Sequence, residues 1–149
     1  MDLHGWVAVL RLPIEISAVC LAVMPSLLLL RAWSSLPDEV PVHFGMSGHP
    51  ERLGPRWQAW IIPLVALIVY GAFSQASGAW HWMLGGQTEL PSALDAVVLM
   101  RLPTGLLMSY ITWGTIHVAR KEAETLNPQI LWILISLILG PVILKPFLR

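Results

Sequence analysis

Apolar residues in this chain gather into long runs, and the charges fall in short clusters between them instead of recurring along every helix face. A helix needs about 20 mostly apolar residues to cross a hydrocarbon layer of about 30 Å. Four stretches meet that description: residues 12–30, interrupted by Glu15; 57–76, within a stretch that has no Asp, Glu, Lys or Arg before Glu89; 102–119; and 125–144. The predicted fold is all-α: a bundle of four transmembrane helices in one membrane domain over residues 1–149, with an extended Pro/Gly-rich loop at 31–56. Arg11 ahead of the first run also suits a signal peptide, but no small-residue cleavage pattern follows Leu30.

Tryptophan placement agrees with these spans, because indole prefers the boundary between headgroups and acyl chains. Trp33, Trp57 and Trp60 flank the first loop and Trp132 lies near the third, while Trp80 and Trp82 close the second span on the opposite side. Trp6 precedes the first span, and Trp113 alone is plainly mid-span.

Composition sharpens the picture. Hydrophobic residues make up 56% and charged residues 12%, with a mean hydropathy of +0.67; the charged share is about half that of a soluble domain, so the expected solvent is lipid. Nine Lys+Arg balance nine Asp+Glu, which leaves no basic field for nucleic acid. The single cysteine, Cys20, excludes an intrachain disulfide. With four spans, Arg31, Arg52, Arg56, Arg120 and Lys121 lie on one side and Arg11, Arg101, Lys145 and Arg149 on the other, so the positive-inside comparison sets no orientation.

The chemistry concentrates in the first loop. Its prolines push the preceding residues toward extended geometry, so Val40 to His43 is predicted extended, and Gly45 and Gly48 permit a tight turn with positive φ. The product is a stiff loop that carries Asp38, Glu39, His43, His49, Glu51, Arg52 and Arg56 at the membrane surface. It is longer than a plain helix connection requires.

Ten positions within residues 36–56 form a pattern: Leu36, Pro37, Val40, Pro41, His43, Phe44, Gly48, Pro50, Glu51 and Arg56. This resembles the domain of unknown function 1648, the N-terminal module of many bacterial multipass membrane proteins of the SdpI-like class. The resemblance covers the first two spans and their loop, about half of the chain. Gly45 stands where that family commonly has Asn, Glu51 where Asp is usual and Arg56 where Lys is usual. The resemblance implies a bacterial inner-membrane protein with the loop facing outward, and a binding, sensing or immunity role for the ten residues.

Individual side chains leave alternatives open. His43 could ligate a metal with His49, Asp38 or Glu51, act as acid or base, or hydrogen-bond the loop backbone; two histidines six apart in a loop are not a recognised ligand spacing. Arg56 suits a boundary anchor beside Trp57 as well as a binding contact. Within the spans, Arg11 and Glu15 are four apart and suit an intrahelical pair; Arg101, near Asp95, suits snorkelling; His117 suits the interface; Arg120 with Glu124 suits a solvated pair. Ser47 with His43 or His49 suits a hydrolase fragment, but a serine in a glycine-flanked turn is far more often a turn residue. No nucleophile elbow, phosphate loop or paired-histidine zinc motif is present, and no cofactor is predicted.

Three readings follow. The first is a binding or sensing module whose 36–56 loop contacts a peptide, lipid or protein partner. The second is an accessory subunit of a larger membrane complex or homo-oligomer, and the third a metal-dependent membrane enzyme using His43 and His49.

Overall fold

A computed structural model of the protein describes residues 3–76 and 96–144. Among them are helices α1 (Leu3–Ala32), α2 (Ile61–Ala76), α3 (Ala96–Ala119) and α4 (Pro128–Leu144), and strands β1 (Glu39–Phe44) and β2 (Pro50–Pro55) between the first two helices. The chain is therefore mostly helical, and within the extended Pro/Gly-rich loop the two strands pair as an antiparallel hairpin, a pairing not predicted from the sequence. Trp80, Trp82 and Asp95 lie outside the described residues.

Two helical stretches, Leu12–Ser35 and Arg56–Gln75, are long and apolar enough to cross a membrane. Only 28% and 22% of their apolar windows are buried, so they are not the core helices of a soluble fold. α3 is long enough but carries Arg101 and several hydroxyl residues. α4 has 17 residues, a rise of about 25 Å, short of the hydrocarbon thickness. It starts later than residue 125 because the Asn127 side chain accepts the backbone N–H of Gln129 at 2.9 Å, capping a helix whose first residue is Pro128.

The faces of α1 explain the packing. Glu15, Ala18, Ala22, Pro25, Leu29 and Ala32 recur every three or four residues and are buried, whereas Leu12, Ile16, Val23, Leu27 and Leu30 are exposed. Small side chains point inward and large aliphatic ones outward, the reverse of a water-soluble helix and the pattern of close helix packing in lipid. The approach to α3 is close: a Cβ on Gly105 would stand 2.7 Å from the Leu21 Cβ, and the Ser109 hydroxyl reaches the Leu21 carbonyl at 3.4 Å.

At the end of this bundle formed by the C-termini of α1 and α3, a second cluster forms. Leu29, Ala32, Leu36, Val40, Ala59 and Ile116 are buried together, with Trp33 and Trp60 packed against them at 6.0 Å between ring centroids. An isolated hairpin is marginal in water, and this cluster is what seats β1 on the helices.

Candidate functional site

The hairpin is built from its prolines and one glycine. Pro41 lies opposite Leu53 and Pro50 opposite Phe44; both strands of a two-stranded sheet are edges, where a missing N–H is tolerated. Val40 to His43 is extended, inside β1, as the prolines predict. The turn closes with Gly45 N–H to the His49 carbonyl and Gly48 N–H to the Gly45 carbonyl, each 2.9 Å. Of the two glycines expected at positive φ, only Gly48 has it, at 82°.

Two irregularities in register shape the chemistry. Pairing passes from Pro41↔Leu53 to His43↔Arg52 and then to Phe44↔Pro50, leaving Val42 on β1 and Glu51 on β2 without a partner. Bulges re-aim side chains. Here the bulge at Glu51 brings its Oε2 to 3.5 Å from His43 Nε2, with the side chains 59% and 68% exposed.

Gly45 completes that arrangement. A Cβ there would fall 2.2 Å from the Glu51 Oε1. Two of the three departures from the resembled pattern, at Gly45 and Glu51, are thus linked in space: the acid at 51 occupies room that a side chain at 45 would take.

Most of the remaining motif residues are committed to the fold. Leu36 and Val40 are in the buried cluster, Pro41 is buried, and Phe44 and Pro50 are half-buried, while Pro37 is exposed. Arg56 stacks over Trp33, 4.8 Å from the ring centroid, and its backbone N–H donates to the Asp38 carbonyl at 2.8 Å. The hairpin tip is held by the segment between α3 and α4: Leu126 N–H donates to the Gly48 carbonyl at 2.9 Å, and a Cβ on Gly48 would meet the Leu126 carbonyl at 2.0 Å. Leu126 is itself buried against Gly114, where a Cβ would stand 1.8 Å from its Cδ2.

His43 and His49 are not brought together as a pair. His43 meets Glu51, whereas His49 Nδ1 lies 3.2 Å from the Ser47 hydroxyl. Among the described residues no group of three or more His, Cys, Asp or Glu is placed to hold a metal ion, so the geometry adds no ligand to the metal reading.

Below the hairpin lies an ion pair that sequence reasoning assigned differently. Glu15 pairs with Arg101 of α3, Nη1 to Oε2 at 2.5 Å, with side chains only 1% and 4% exposed for Arg and Glu, and the Arg11 side chain lies outside what the structure describes. Arg101 also donates to the Phe73 carbonyl of α2 at 3.2 Å and lies 5.9 Å from the Tyr70 ring centroid. It is buried and does not snorkel. One pair therefore ties three helices, and Glu15 Oε1 has no hydrogen-bond partner among the described residues. The available signal was the cost of an isolated charge in an apolar run, which requires a partner but does not say which.

At the other end of α3, His117 Nδ1 lies 2.9 Å from the Trp113 carbonyl and its Nε2 3.5 Å from Glu122. Arg120 reaches the Ser35 hydroxyl and, at 3.9 Å, Glu122, not Glu124. Lys121 at φ 59° turns the chain so that Glu122 follows beneath His117; the Glu122 backbone N–H donates to the His117 carbonyl at 2.9 Å.

Neither the curated proteins nor the solved structures give a match to this chain. The family model that does match covers residues 20–67, the C-terminal part of α1, the whole hairpin and the start of α2, a narrower span than the half-chain resemblance. Those residues, about a third of the chain, are a Domain of unknown function (DUF1648) segment.

Proposed function

We propose that the protein is a four-helix integral protein of the bacterial inner membrane that acts as a binding or sensing module, of the immunity type found among SdpI-like proteins, through its 36–56 hairpin on the extracytoplasmic side. The observation that carries this reading is the division of labour within the ten motif residues. Most of them pack, but His43 and Glu51 are aimed at each other on the exposed side of a hairpin fixed at both its base and its tip. An exposed pair of this kind contributes between 0 and about 1 kcal/mol to folding. Its placement by a bulge is better explained by a ligand than by stability. The family-model match over residues 20–67 spans the whole hairpin and supports this reading.

Two measurements test it. Met46 is 76% exposed at the turn. A photo-crosslinking amino acid at that position, in membranes of the native host, is expected to give a discrete adduct that His43→Ala and Glu51→Gln both abolish. Adduct formation indifferent to both substitutions overturns the reading. Met46→Cys in a Cys20→Ser background is expected to react with a membrane-impermeant maleimide in whole cells, and protection there overturns the assigned side.

A further inference from the structure

A groove of about 340 Å³ runs beneath the hairpin. Val42 and Phe44 roof it, Ile62 of α2 and Ile111 of α3 form its back, and Leu131 and Trp132 of α4 line its side; His43 is at its upper end. The volume suits a small apolar guest. Trp132 on its wall is 47% exposed, and Ile61 and Ile133, next in sequence to the lining residues Ile62 and Trp132, are 49% and 60% exposed.

From this we infer that the groove and the His43–Glu51 pair together bind one phospholipid with a primary ammonium headgroup, phosphatidylethanolamine in chemical class. This rests on the hairpin being a recognition element at the membrane boundary, and it names the ligand. An acyl chain fills the apolar trough, whose lining descends α4 from Leu131 to Ile135. The head then lies against the hairpin. His43 Nε2 and Glu51 Oε2 are 3.5 Å apart, longer than a good hydrogen bond, so each retains capacity for a further partner. An imidazole N–H donates to the phosphodiester and the carboxylate accepts from the ammonium, so one donor and one acceptor on the hairpin meet the acceptor and the donor of the head. A phosphatidylglycerol head offers Glu51 only neutral hydroxyl donors and no cation, and the quaternary nitrogen of phosphatidylcholine has no N–H to give.

The test is native mass spectrometry of the full chain released from vesicles of equal parts phosphatidylethanolamine, phosphatidylglycerol and phosphatidylcholine. Wild type is expected to retain one phospholipid, with phosphatidylethanolamine favoured by roughly fivefold, and Glu51→Gln and His43→Ala to reduce that preference to about one. Ile135→Trp, which fills the groove, is expected to remove retention altogether. Ile111→Phe does the same from the opposite wall, and is decisive if the tryptophan variant fails to fold. Retention of no lipid, preference for phosphatidylglycerol, or equal retention by the groove-filled variants (annular lipid only) overturns the assignment. If the Met46 adduct still depends on His43 and Glu51 while no lipid is retained, the ligand assignment fails and hairpin recognition stands; if neither depends on the pair, both fail.

Discussion

Glu15 and Arg101 are the residues on which the interior depends most. Each would be a costly isolated charge among apolar side chains, and together they offset that cost only because the geometry is direct and the guanidinium also reaches a carbonyl of a third helix. Removing one partner is expected to be far worse than removing both. Arg101→Met alone should lower stability in detergent by about 3–5 kcal/mol, whereas Glu15→Met combined with Arg101→Met should recover most of that loss. Thermal unfolding of the two variants measures the difference, and equal destabilisation would show that the pair is not the source. His43→Ala is expected to behave oppositely, with a stability change within about 0.5 kcal/mol because the side chain is exposed. A large drop in its melting temperature would mean that the pair belongs to the fold and not to recognition.

For the elements, the hairpin shows what local sequence can and cannot convey. Proline at 41 and glycine at 48 dictate extended chain and a tight turn through their own backbone restrictions, and both are legible without any partner. That residues 50–55 return as a second strand is not legible, since Pro50-Glu51-Arg52-Leu53-Gly54-Pro55 has little strand propensity and pairs only because Leu36 and Val40 are anchored nearby. The partner of Glu15 was hidden for the same reason: it lies 86 positions away, and nothing in either helix alone distinguishes it from Arg11. Gly48 is where turn and tertiary contact coincide. Gly48→Ala combines a positive φ with a collision against the Leu126 carbonyl, and a loss of about 1–3 kcal/mol is expected, with faster proteolysis at the hairpin than elsewhere. Leu126→Ala should cost about 2–5 kcal/mol as a buried leucine truncation and produce the same proteolytic pattern. Cleavage confined to other segments in both variants would separate the tip from the α3–α4 connection.

Taken as a whole, the molecule turns its large aliphatic residues outward on α1, α2 and α4, with Leu27, Ile68 and Ile133 among those more than half exposed. So much apolar surface calls for a cover, and lipid is the simplest one. The protein is accordingly expected to be monodisperse in mild detergent and to aggregate when the detergent is withdrawn, as size-exclusion chromatography would register; a single sharp peak in plain buffer would refute membrane residence. The contact between Leu126 and Gly48 has a wider consequence. The family segment ends at residue 67, yet the loop it contributes is finished by a leucine almost sixty positions further on. Within this chain the loop is half of a joint, and its seat is supplied from beyond the matched segment.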